Sequence, residues 1–149
     1  MLLTQINRIL LADDSAADIE LTMRALAEYH LANVVDIARD GVEALDYLYR
    51  RGAFAARPPG NPALLLLDNK MPRVDGLEVL RQIKADDKLK TIPVVMLTSS
   101  REHADLLRSY QLGANAYVAK PVDFCEFVKA VRELGAFWGI VNEPPPPQT

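Results

Sequence analysis

Five polar residues stand directly behind short apolar runs. Asp13 and Asp14 follow "RILLA", Asp68 follows "ALLLL", Thr98 follows "PVVML" and Lys120 follows "AYVA". An ionised carboxylate is costly to desolvate, so an acid set against the most apolar part of a chain needs a cation, a metal or a reaction to serve. Two carboxylates about 4 Å apart repel by roughly 4 kcal/mol at an effective dielectric of 20. A hard divalent cation removes that cost, and a few carboxylates with water suit Mg²⁺ better than a calcium cage. Lys120 adds a charge that pairs with an acid at rest and with a phosphoryl oxygen when one arrives; Thr98 offers that group a hydroxyl. An Asp flanked by Mg²⁺, a lysine and a hydroxyl is equipped to accept a phosphoryl group, because that chemistry needs mainly positioning and neutralisation of spread negative charge.

Whether these residues meet depends on the elements that carry them. Apolar runs at 8–12, 34–38, 63–67, 93–97 and 116–119 read as strands, and all but "VVDIA" (34–38) are largely apolar, as in a parallel sheet covered on both faces. "VVDIA" is less clean and is expected nearer an edge. Between them lie amphipathic patterns, "ADIELTMRALAEYH", "GVEALDYLYRR", "DGLEVLRQIKADDK", "EHADLLRSYQL" and "DFCEFVKAVRELGAFW". Their stripes run through Ile19, Met23, Leu26 and Ala27; Val42, Leu45, Leu48 and Tyr49; Leu77, Leu80, Ile83 and Lys84; and Phe124, Phe127, Val131 and Leu134. Glu78 is set to pair with Arg81 or Gln82 on the wet side. Five strands, each followed by a helix, predict an α/β fold with a doubly wound five-stranded parallel sheet, order 2-1-3-4-5, flavodoxin-like, with five helices. An eight-unit barrel needs more chain than 149 residues.

In such a sheet ligands bind beyond the carboxyl ends of the strands, where the strand order reverses. There the first and third strands are neighbours, so Asp13, Asp14 and Asp68 converge, with Thr98 and Lys120 alongside. Each residue also has an ordinary reading: Asp14 with Ser15 as a helix cap, Asp68 as a turn residue before "MPRVDG", Thr98 as a cap, Lys120 as a surface lysine. Independent caps would not supply both the acids and their compensating cation.

Bulk properties narrow the classes further. Half of the residues are hydrophobic and a quarter charged, with a net charge of −3, which leaves no basic footprint for nucleic acid or anionic membrane. No apolar run is long enough to span a bilayer, and "MLLTQINRILLADD" lacks the features of a signal peptide. A single cysteine, Cys125, fits a reducing cytoplasm and reads as a small apolar filler on the last helix. His30 and His103 are too few and too scattered for a zinc site by themselves. The Gly- and Pro-rich stretch 52–62 reads as a loop, and "EPPPPQT" as an extended tail. One domain over 5–141 with a Pro-rich disordered tail over 142–149 is expected, without an output domain after residue 140. Phe137, Trp138, Ile140 and Val141 are more apolar than a helix end requires and are expected to pack on the body or form a homodimer contact.

With these residues in view, the chain resembles the receiver domain of two-component response regulators. The matching pieces are "ILLADDS", "LLLLDNKMPRVDG", "PVVMLTSS" and "GANAYVAKPVD", in the family's order over nearly the whole chain. The resemblance implies that Asp68 is the phosphoacceptor, charged by a sensor histidine kinase. It implies that Asp14 and Asp68 bind Mg²⁺ directly, with Asp13 acting mostly through water and the Lys70 backbone carbonyl as the remaining ligand. Thr98 would then move toward the phosphoryl oxygen, Lys120 would pair with it, and Tyr117 would swing inward to report phosphorylation at the surface. Lys70 sets a long cation where many relatives carry smaller or neutral residues. "GVEALDYLYRRGAF", the loop after it, "SYQLGANAYVAKPVD" and the ending "FW" resemble the stand-alone regulators of bacterial phytochrome kinases, which act through protein contacts rather than as enzymes. The rival is a haloacid-dehalogenase-like phosphatase. That family expects a second Asp where Lys70 stands, and a cap domain besides.

Overall fold

The computed structural model describes residues 8–28, 31, 34–98 and 111–133. Five strands, β1 (Ile9–Ala12), β2 (Val35–Ala38), β3 (Leu64–Asp68), β4 (Val94–Thr98) and β5 (Ala116–Ala119), form one parallel sheet in the order β2-β1-β3-β4-β5. Four described helices accompany them: α1 (Ala16–Ala27), α2 (Gly41–Tyr49), α3 (Gly76–Ala85) and α4 (Phe124–Glu133). The helix expected over "EHADLLRSYQL" falls mostly outside the described residues, as do Phe137, Trp138, Ile140, Val141 and the Pro-rich tail.

Strand pleating sends alternate residues to opposite faces, so an unbroken apolar run serves two cores at once. Ile9, Leu11, Leu64, Leu66, Val95, Leu97 and Val118 face one way and meet Ile19 and Leu26 of α1 with Phe127 of α4. Leu10, Ala12, Leu65, Leu67, Val94 and Met96 face the other and meet Leu45 and Leu48 of α2 with Val79, Leu80 and Ile83 of α3. The sheet is thus wound on both faces, as the sequence predicts.

Several details differ from expectation, each for a local reason. Asp68 and Thr98 are the last residues of β3 and β4 rather than the residues after them. In α2, Leu45 and Leu48 are buried as expected, but Tyr47 is buried in place of Tyr49, which is 39% exposed. The cause is Asp36 on edge strand β2: it accepts the Tyr47 hydroxyl at 2.6 Å and a two-pronged ion pair from Arg8. That network also explains why "VVDIA" is interrupted by a carboxylate. The Gly/Pro-rich stretch is not wholly irregular, since Gly52–Phe54 form a 3₁₀ turn. Arg57 ties the loop down by lying 4.2 Å over the Tyr47 ring and donating to the Tyr47 carbonyl. Cys125 is exposed on α4 and fills no core space. Glu78 does pair with Arg81 and also accepts from Gln82.

Helix α3 starts so close to β3 that side chains are excluded. A Cβ at Gly76 would stand 2.0 Å from the Asp68 carbonyl oxygen. The Gly76→Ala substitution is therefore expected to shift the β3 terminus and to destabilise the fold by about 2 kcal/mol or more. Urea unfolding checks this, as a lower midpoint at unchanged slope.

Candidate functional site

The five singled-out residues gather at the carboxyl edge of the sheet, where β1 and β3 lie side by side. Two of them, and the residue after a third, are held by the ladder running slightly past the strands. The Asp13 N–H donates to the Ala38 carbonyl at 3.0 Å, and the Lys120 N–H to the Thr98 carbonyl at 2.8 Å. Behind Asp68, the Asn69 N–H donates to the Leu97 carbonyl at 3.0 Å. Each functional segment is therefore pinned by a neighbouring strand.

Lys120 is the hub of the side chains. Its ammonium lies 2.9 Å from Asp13 Oδ2, 2.9 Å from Asp18 Oδ2 and 3.2 Å from Asp68 Oδ1, with the lysine side chain only 6% exposed. Burial alone would lower the lysine's pKa. Asp13, Asp18 and Asp68 outweigh that and hold it above the ordinary value. Asp13 is fully buried, Asp68 and Thr98 nearly so, and Asp14 is exposed. Asp13 Oδ1 accepts the Ser15 N–H, which helps turn the chain into α1. Ser15 in turn caps α1 by accepting the Asp18 N–H at 3.2 Å. The ordinary reading of this stretch thus holds for Ser15, while both aspartates before it are left for the site.

Asp18 was not among the residues expected at the site. Its only sequence signal is a position three residues after a serine cap, which reads as helix capping. Its ion-pair partner lies 102 residues away, beyond the reach of local pattern.

The charge balance is unfavourable as it stands. Oxygens of Asp13, Asp14 and Asp68 lie within 4.8 Å of one another. Burial, then the Asp13 charge, push the Asp68 carboxyl up to about 7 despite the pull of Lys120. Asp13 Oδ2 is buried and makes no hydrogen bond among the described residues; the Lys120 ammonium meets it as an ion pair. Three converging carboxylates with an under-coordinated buried oxygen fit a hard divalent cation such as Mg²⁺. Two residues past Asp68, Lys70 is exposed and carries an ammonium where a phosphatase of the rival type would need an acid. Tyr117 is half-buried on β5, three residues before Lys120, and packs toward the α2–α3 core.

A raised carboxyl pKa has a defined consequence for stability. The unfolded Asp ionises near its ordinary value of 3.8 while folded Asp68 holds its proton to about 7, so folding is progressively penalised between those values and fully so above them. In a chelating buffer, Asp68→Asn is expected to stabilise the protein by about 2 kcal/mol at pH 8. The gain should shrink steadily as pH falls from 7 to 4. Denaturant titrations of both proteins across that range provide the check.

Comparison with known proteins agrees with this geometry. Residues 9–132 match the response regulator receiver domain. The response regulator Rcp1 of Synechocystis sp. is 38% identical over 130 residues, which cover 87% of this chain and 87% of Rcp1. A Mn²⁺-bound crystal structure of Rcp1 superposes with a TM-score of 0.73, at 36% identity over 95% of this chain and 99% of that one. The bacteriophytochrome response regulator AtBRR is 56% identical with a TM-score of 0.85, covering 94% of this chain and all of that one. Its counterpart RtBRR is 55% identical with a TM-score of 0.84, covering 95% of this chain and 86% of that one. With the sheet order, the acid cluster and the buried lysine in place, the chain belongs to the response regulator receiver domain family.

Proposed function

We propose that Asp68 accepts a phosphoryl group from a phosphohistidine of a sensor histidine kinase. A carboxylate oxygen of Asp68 attacks phosphorus, the P–N bond to the imidazole breaks, and the imidazole leaves taking up a proton. Asp13, Asp14 and Asp68, with the backbone carbonyl of Lys70, would hold Mg²⁺, which supplies neutralisation of the phosphoryl oxygens. Lys120 shifts from pairing with carboxylates to pairing with the transferred group. The Thr98 hydroxyl donates to the same group, and Tyr117 turns inward to report the change. The observation that carries this reading is the meeting of three carboxylates beside one buried ammonium. The protein then catalyses only its own phosphorylation and dephosphorylation, and signals by conformational change and protein contact.

The similarity to AtBRR and RtBRR supports a phytochrome-type kinase as the phosphoryl source, in a light-sensing phosphorelay. An open cleft of about 410 Å³ beside Tyr117, lined by Asn115, Ala119, Glu126 and Lys129 among others, lies where the reporting surface belongs on this reading. On the same proposal, this chain forms a homodimer that works in the cytoplasm without nucleic acid or membrane. No described helix is long and apolar enough to cross a membrane.

Incubation with Mg²⁺ and an acyl phosphate is expected to add one phosphoryl mass to the intact chain and none to Asp68→Asn, with both proteins folded by circular dichroism. Label that persists in the variant, or that maps to Ser99 or Ser100, overturns the assignment. Sustained release of phosphate from small esters would favour the phosphatase instead.

A further inference from the structure

We infer that Arg73 is a positioning residue, whose guanidinium, forked onto Asp40, holds the loop after β3 against the start of α2 and so fixes the backbone offered to the cation. The inference rests on the reading that the Lys70 carbonyl is a Mg²⁺ ligand.

The loop over 69–75 is closed at its base, where the Gly76 N–H donates to the Asn69 carbonyl at 3.0 Å. Closure joins the ends of the loop, Met71 is buried in the α2–α3 core and Val74 packs against it. Two contacts with α2 add to this anchoring. The first is backbone against backbone: a Cβ on Gly41 would stand 1.9 Å from the Val74 carbonyl oxygen. The second is the fork, with Arg73 Nε 2.9 Å from Asp40 Oδ2 and Nη2 3.1 Å from Oδ1.

Arg73 adopts φ 68°, a left-handed conformation that residues with a Cβ rarely take, so something must hold it there. An ordinary surface ion pair contributes little. This one is better built. The Asp40 side chain is only 15% exposed and also caps α2, accepting the Glu43 N–H at 2.8 Å. The geometry is the planar two-point match that arginine makes with a carboxylate. Burial works against the ionised Asp40, but the Arg73 hydrogen bond and the helix N–H groups outweigh it and hold its carboxyl below the ordinary range.

The location gives the fork its role. Asp40 lies two residues beyond Ala38, whose carbonyl receives the Asp13 N–H. Arg73 lies three residues beyond Lys70. The pair therefore links the segment that anchors Asp13 to the loop that carries Lys70. Cutting it would leave the carboxylates in place and loosen the loop on the side that faces Asp40, while Met71 keeps its core contacts.

The test is calorimetric titration of the full chain with MgCl₂, comparing wild type, Arg73→Ala, Asp40→Asn and the double variant. Asp40→Asn keeps an oxygen to cap α2, and Arg73→Lys serves as a milder variant that retains the charge without the fork. Each single substitution is expected to weaken Mg²⁺ binding severalfold, because the loop that presents the Lys70 carbonyl is then held less firmly. The double variant should be no weaker than either single one, since both remove the same interaction. Arg73→Lys should fall between wild type and Arg73→Ala. In acyl-phosphate labelling, the Mg²⁺ concentration for half-maximal rate should rise by the same factor while the rate at saturation changes less than about twofold. Wild-type affinity in Arg73→Ala overturns the inference alone, as does a saturated rate that falls at unchanged Mg²⁺ dependence. A wild-type protein indifferent to Mg²⁺ overturns the metal reading, and this inference with it.

Discussion

One shared ammonium governs the site. Lys120 lies within ion-pair distance of Asp13, Asp18 and Asp68, so among the described residues a single positive charge offsets three carboxylates, while Asp14 adds its charge at the rim. Removing charges from water costs several kcal/mol each, and Coulomb attraction repays that only when the pairing is complete. Here it is incomplete. The deficit appears as an Asp68 carboxyl held up to about 7. A pocket in this condition favours whatever brings positive charge into it. On the proposed reading that is Mg²⁺, and the phosphoryl group then brings back the negative charge that Lys120 and the metal are placed to meet.

The sheet makes this deficit affordable by making it rigid. Both faces of the three central strands are packed with Leu, Ile, Val and Met, and the order β2-β1-β3-β4-β5 leaves β1 and β3 adjacent at the point where the chain winding reverses. Backbone hydrogen bonds continue past the strands to Asp13, Asn69 and Lys120. The backbone at Asp13, Asp68 and Lys120 cannot move apart without breaking ladder bonds at the edge of a close-packed core. Charge strain is thereby stored in side chains while the backbone stays regular.

How much of this is legible from sequence follows from how local each cause is. Apolar runs flanked by amphipathic stretches reveal the strands, the winding and therefore the meeting of residues 13, 14 and 68, because topology is nearly determined by a βα repeat. Asp18 is not legible, because its neighbours offer a sufficient local explanation as part of a helix cap. The exchange of Tyr47 for Tyr49 on the buried face of α2 is likewise hidden. Helical periodicity cannot weigh a hydroxyl whose acceptor, Asp36, sits on another strand. Cys125 illustrates the opposite error, since a small apolar residue on an amphipathic helix invites burial that the helix orientation does not give it. The roles proposed for Lys70 and Tyr117 rest on the resemblance to receiver domains, since neither spacing nor composition can supply them.

The central claim is that the acid pocket lacks positive charge and that a divalent cation provides it. Thermal unfolding of the wild-type chain with increasing free Mg²⁺ measures this directly. The account predicts a midpoint that climbs with Mg²⁺, by the equivalent of about 2.7 kcal/mol once the ion is about 100-fold above its dissociation constant, and a much flatter response in Asp13→Asn. A midpoint that stays where it is in chelator, whatever the Mg²⁺ concentration, would contradict it.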